Sequence, residues 1–248
     1  YGAEVEEQSM ELTAYDGTLL KATNIIASYH TEKTNRVLLM AHWDTRPYAD
    51  NDLDEANHRI PVLGANDGAS GVGVLLEIAR LLNEQTPNIG IDIILFDAED
   101  YGQPYFAETP YDNDSWCLGS QYWAAHPHVK DYTAKYGILL DMVADKNAIF
   151  PKEAVSMMYA PHVVDKVWTL ADKLGHKSYF IDKKGGPIID DHMYVNQIAK
   201  IPSIDIIHYT DEGFATHWHT LDDTMKNIDK KTLQIVGEVL TCLIYEEK

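Results

Sequence analysis

IDIILFDAEDYG, residues 91 to 102, is an apolar run that stops at Phe96 and gives way to Asp97, Glu99 and Asp100. A strand built of Ile93, Ile94, Leu95 and Phe96 has no polar alternation, so it must be covered on both faces, the condition of a strand inside a parallel sheet. Acids at its mouth lie where open α/β sheets bind ligands, beyond the carboxyl ends of the strands.

Three more runs share this character: RVLLMAH (36–42), YGILLDMV (136–143) and IPSIDIIH (201–208). Helical patterns fill the intervals. In SGVGVLLEIARLLNEQ (70–85), Val72, Leu75, Leu76, Ala79 and Leu82 form one stripe, with Ser70 as the expected N-cap. In PHVVDKVWTLADKLG (161–175), Val163, Val164, Val167, Leu170, Ala171 and Leu174 do the same and Gly175 supplies the stop. Asp229 is the expected cap of a last helix through Leu243. Alternating strands and helices predict an α/β three-layer sandwich, with a mixed, mostly parallel sheet between helices. Without repeats or a linker, residues 1–248 are expected to form one domain. Long turn-rich stretches at 43–67, 101–116 and 208–220 each follow a strand, and loops of that length usually carry function.

The chain has 39 Asp and Glu against 20 Lys and Arg, a formal charge of −19. Such a field repels phosphate backbones and anionic lipid, which excludes nucleic acid as a natural partner; it favours cationic groups such as a peptide's α-ammonium, besides serving solubility. No apolar stretch has the length of a membrane span. The chain opens on Tyr1, and YGAEVEEQSMELTAYDG (1–17) reads as the tail of a helix running into a strand, so a preceding segment is expected. Cys117 and Cys242 are expected to be free rather than paired.

The chemistry sits at the strand ends. His42 and Asp44 close the first run, Asp67 sits in the turn before the first long helix, Glu99 and Asp100 close the second run, Asp141 closes the third, and His219 follows the fourth. Imidazoles and carboxylates brought to one rim suit zinc, which takes N and O ligands at about 2.0–2.2 Å. Singly, each residue has a plainer reading: Asp67 as a turn or cap residue, His42 as a core histidine, Asp141 as a strand-end acid. GASGVG lacks the order of a dinucleotide loop, no GxSxG elbow is present, and neither cysteine lies in a nucleophile motif, so covalent catalysis has no support.

The order of motifs is more specific than any member. His-x-Asp, GANDGASG (64–71), DAED (97–100), LLDMV (139–143) and HWHT (217–220) together resemble the zinc-dependent aminopeptidase superfamily, and within it the bacterial glutaminyl-peptide cyclotransferases, over residues 36–245. The resemblance implies Asp67, Asp100 and His219 as ligands of one zinc ion, with Glu99 as acid/base. Through GGPIIDDHMY (185–194) it implies that Asp190 joins Asp141 and Glu99 in a carboxylate network, and it sets Trp218 and His192 among the substrate-binding residues. His217 is left outside the ligand set. One departure is that many relatives carry Glu-Glu where this chain has Glu99 and Asp100, a ligand one methylene shorter.

The implied reaction is cyclisation of N-terminal glutamine in peptides or proteins to pyroglutamate, with release of ammonia. The runner-up is a two-zinc aminopeptidase in which His42 and Asp141 bind the second metal, Asp67 bridges and Glu99 activates water. A third reading is a catalytically inactive binding domain on the same scaffold. The resemblance to bacterial cyclases also implies an exported, periplasmic protein.

Overall fold

The computed structural model describes residues 1–248. In chain order the strands are β1 (Glu4–Thr13), β2 (Leu19–Tyr29), β3 (Arg36–His42), β4 (Gly90–Phe96), β5 (Gly137–Asp141), β6 (Phe150–Lys152), β7 (Phe180–Lys184) and β8 (Ser203–Ile207). The helices are α1 (Ala69–Glu84), α2 (Leu118–Ala125), α3 (Ala154–Tyr159), α4 (Pro161–Lys173), α5 (Asp191–Tyr194) and α6 (Lys230–Glu246).

The four apolar runs become β3, β4, β5 and β8, and their side chains divide between two faces as the period of two requires. Val37, Leu39 and Ala41 of β3, with Ile91 and Ile93 of β4, join the core shared with α1, α4 and α6. Leu38, Met40, Ile94 and Phe96 point the other way, into a smaller core with Trp123 of α2 and Val195. Covering both faces removes nearly all of these side chains from water, each burial stabilising by about 1.5–3 kcal/mol.

The six-stranded sheet has the order β1-β2-β4-β3-β5-β8. Pairing is parallel for β3 with β4, β3 with β5, and β5 with β8, and antiparallel for β1 with β2 and β2 with β4. The fold is therefore the expected α/β sandwich with a mixed sheet. Chain order reverses at β3, between β4 and β5, so the carboxyl ends of these strands open a crevice at the switch point.

Three local expectations are corrected. The strand expected within residues 1–17 is present as the edge strand β1, but no helix tail precedes it; only Met10 of β1 is buried, so its mostly polar side chains hide how far the strand extends. Helix α1 begins after Gly68 rather than Ser70, whose hydroxyl instead donates to the Asn66 carbonyl and accepts from the Val143 amide. Leu76 is 51% exposed, because the inward stripe of α1 runs through Val74, Leu75, Ile78, Ala79 and Leu82. The other ends follow their signals: Gly175 adopts φ +86 just past α4, and Asp229 accepts from the Lys231 amide to cap α6, which runs on to Glu246. No helix is long and apolar enough to cross a membrane.

Candidate metal and catalytic centre

Register places the site. His42 at the end of β3 lies opposite Phe96 of β4, and Asp141 at the end of β5 lies opposite Ile207 of β8, so the chain leaves four parallel neighbours at one rim. Ala98 and Met142, just beyond β4 and β5, adopt the left-handed region at φ 54 and 49, as does His219 at φ 54. Non-glycine residues hold that conformation at a cost of about 1–3 kcal/mol, met only where the surroundings impose it.

Carboxylates pin the backbone around these turns. Asp44 accepts the amides of Glu99 and Asp100 at 3.1 and 3.0 Å, one on each oxygen. Asp223 does the same for Asn66 and Asp67 at 2.8 and 3.1 Å. Asp97 accepts from the amides of Thr23 and Ala98 and takes no part in the centre. Gly68 passes so near His42 that a Cβ there would stand 2.6 Å from its carbonyl oxygen, which lets Asp67 reach the imidazole.

The fixed backbone brings the side chains together. His219 Nε2 is 3.1 Å from Asp100 Oδ1 and 3.4 Å from Asp67 Oδ2. His42 Nε2 is 3.0 Å from Asp67 Oδ1 and 3.2 Å from Asp141 Oδ1, so Asp67 turns one oxygen toward each imidazole. All five residues are buried, and Asp100 Oδ2 and His42 Nδ1 have no hydrogen-bond partner. Burial works against protonating His219, but Asp100 and Asp67 outweigh it and lift the imidazole to about 9. Burial likewise raises Asp67, yet His219 and His42 hold it below the ordinary carboxylate range. A nest of acids that draws positive charge onto its histidines is matched to a divalent cation, and its N and O donors fit zinc.

Beside the nest, Glu99 is pushed well above its ordinary value by burial and then by Asp100. Asp141 is pushed up to about 8 by burial and the charge of Asp67, and burial also raises Asp190. The ligating atoms of Glu99, Asp190 and Cys117 lie within 4.8 Å of one another. Glu99, Asp141 and Asp190 all line a cavity of about 290 Å³ walled by Trp116, Ile188, Ile189, Ile207, Phe214 and Trp218. Trp218 stacks on His219 with centroids 3.9 Å apart, and Trp116 lies parallel to the same imidazole at 5.9 Å.

Residues 24–244 match peptidase family M28. The chain belongs to that family. Among solved structures, Bacteroides thetaiotaomicron glutaminyl cyclase bound to N-acetylhistamine is 56% identical with a TM-score of 0.98, over 100% of this chain and 85% of that one. A zinc-dependent exopeptidase from Parabacteroides distasonis is also 56% identical, with a TM-score of 0.97, over 99% of this chain and 85% of the other. Glutaminyl-peptide cyclotransferase of Bos taurus is 24% identical over 90% of this chain, which spans 66% of the bovine protein's length.

In this M28 protein the residues singled out from sequence do not all reach the cavity. His192 is corrected: it is 0% exposed, and its Nε2 faces Glu153 Oε2 at 3.2 Å, so substrate cannot touch it. Spacing on the short helix α5 explains this, since Asp190 caps that helix from the cavity side while His192 falls inside its first turn. His217 is buried with Nδ1 3.7 Å from Asp145 Oδ2, apart from the nest. Sequence reasoning missed Trp116, Arg46, Asp50, Asp223 and Cys117, whose Sγ donates to Glu99 Oε1 at 3.3 Å. Both cysteines are free, as expected.

Proposed function

We propose that this M28 protein cyclises N-terminal glutaminyl residues of peptides or proteins to pyroglutamate, releasing ammonia, with one zinc ion held by Asp67, Asp100 and His219. The observation that carries the reading is the cavity: Glu99, Asp141 and Asp190 open into one small, aromatic-walled space directly over that ligand trio. Its likeness to the Bacteroides thetaiotaomicron glutaminyl cyclase supports the choice of reaction.

Zinc bound there supplies Lewis-acid polarisation of the γ-amide carbonyl. Trp218 and Phe214, with rings 4.5 Å apart, offer an apolar wall to the flat, uncharged side chain. The surplus of acids attracts the α-ammonium. That group first gives one proton to bulk water to become the free amine, whose lone pair attacks the amide carbon while Glu99, as carboxylate, takes a second proton from the attacking nitrogen. As the carbon–nitrogen bond of the γ-amide breaks, Glu99 returns the proton to the departing ammonia. A carboxyl raised by burial is suited to both transfers. Asp190, within 4.8 Å of Glu99, and Asp141, on the wall of the same cavity, keep its proton and orientation in place.

A second reading, the two-metal aminopeptidase, is favoured by one specific observation: His42 and Asp141 complete a second donor set on the other oxygen of Asp67. In the cyclase reading His42 is a hydrogen-bonding support for those two acids. Incubation with a Gln-initiated peptide and its Nα-acetylated form tests the proposal. Ammonia and a pyroglutamyl product are expected from the free amine alone. Ammonia release from the acetylated peptide would contradict cyclisation, since that substrate lacks the nucleophile.

A further inference from the structure

Arg46 takes no part in the chemistry above, yet it is 1% exposed and carries a full charge. Its Nε and Nη2 donate to the two carboxylate oxygens of Asp50 at 3.1 and 2.7 Å. Its Nη1 donates to the carbonyls of Asp100 and Gly102, both at 2.7 Å.

Each partner leads into the site. Asp100 is a candidate ligand whose amide is already held by Asp44, so Arg46 fixes the other side of the same residue's backbone. Asp50 Oδ1 stands 3.6 Å from His219 Nδ1, the ring nitrogen turned away from Asp67 and Asp100. Gly102 backs Trp116 so closely that a Cβ would lie 1.9 Å from the indole, and the Arg46 guanidinium carbon is 4.4 Å from the centre of that ring. Trp116 in turn lies parallel to His219. One planar fork therefore meets the backbone of one ligand, the outer partner of a second and the aromatic wall beside them.

We infer that Arg46, together with Asp50, is the positioning residue of this site: it sets Asp100, His219 and Trp116 in register for metal and substrate. The inference rests on the zinc reading proposed above. A buried ion pair is poor evidence for a stabilising role, because desolvation offsets its Coulomb attraction. Geometry is what the guanidinium supplies, and a lysine cannot reproduce it, since a point charge on a flexible stem cannot span a carboxylate and two carbonyls at once. Outer partners of metal-bound histidines orient the ring, and their loss weakens metal binding about 10–100-fold.

Arg46→Lys keeps a buried cation but breaks the fork; Asp50→Asn keeps the shape and removes the charge facing His219. Zinc titrated into chelator-stripped protein against a chromophoric competitor reads affinity without any substrate, and circular dichroism of the same samples reads folding. Both variants are expected to fold, to bind zinc about 10–100-fold more weakly, and to show a raised KM for glutaminyl peptide along with a lowered kcat. The double variant is expected to lose little more than either single one, because the two residues act as a unit. Folded variants with wild-type zinc affinity and wild-type kcat/KM would overturn the inference. Should Arg46→Lys fail to fold, Asp50→Asn decides by the same two outcomes. Wild-type protein that binds zinc but leaves glutaminyl peptides unchanged would sink the proposed reaction, while the affinity measurement would still judge Arg46.

Discussion

Glu99 is defined by what surrounds it: Asp100 on one side, Asp190 within 4.8 Å, and a cysteine thiol on Oε1. Because its amide is held by Asp44 independently of its side chain, Glu99→Gln should leave the nest intact. The expected outcome is near-wild-type zinc binding with turnover of glutaminyl peptide lowered by about 10²-fold or more, since shape is kept and proton transfer lost. Turnover close to wild type would remove Glu99 from the mechanism. At this scale the candidate nest was readable because His42, Asp100 and Asp141 close strand-like runs while Asp67 and His219 lie in the loops that follow such runs, and strand ends in a parallel sheet share one rim. Arg46 and Asp50 were not, because charged residues in a turn-rich stretch normally face water, and only the folded backbone shows that carbonyls of Asp100 and Gly102 await a donor. His192 shows the opposite error: the resemblance set it among substrate-binding residues, but two positions past the Asp190 cap the first turn of α5 carries its side chain away from the cavity.

Among the elements, α6 is anchored at both ends. Asp229 caps its start, and Glu247 just past its end meets Lys135, Lys166 and the Tyr136 hydroxyl beside β5. Burial raises Glu247, but those partners outweigh it and hold the carboxyl at about 2, below its ordinary value of 4.5. A depressed folded-state pKa contributes stability that is present above the unfolded value and lost as pH falls through the folded one. Glu247→Gln is therefore expected to lower stability by about 1–2 kcal/mol at pH 7, a figure discounted for the partly exposed lysines. The gap from wild type should close between about pH 4.5 and pH 2 in acid-dependent thermal melts. A gap unchanged across that window would contradict the ion-pair account. Asp229→Ala should cost about 1 kcal/mol through the lost cap, at any pH above the carboxylate range. Sequence pattern found β3, β4, β5, β8, α1, α4 and α6 but read a helix tail ahead of the first strand, for a physical reason: an edge strand with one neighbour and little buried surface need not repeat an apolar residue at every second position.

Over the whole molecule, the cores that hold the sheet are apolar and lie behind the rim, with α1, α4 and α6 on one face and α2 on the other. Removing metal should thus abolish turnover while leaving the far-ultraviolet circular dichroism spectrum nearly unchanged, and added zinc should restore activity; collapse of the spectrum on chelation would show that the metal holds the fold. Fold class followed from the periodicity of four runs, whereas the choice between one and two metals did not. It depends on whether His42 Nε2, shared between Asp67 and Asp141, meets a proton or an ion. The most direct test of the central claim is a zinc count on purified protein, paired with turnover of a glutaminyl peptide and of leucine amide by the same sample. One zinc per chain, ammonia and pyroglutamyl product from the glutaminyl peptide, and untouched leucine amide are predicted; two zincs per chain with rapid release of free leucine would contradict the cyclase account and establish the aminopeptidase in its place.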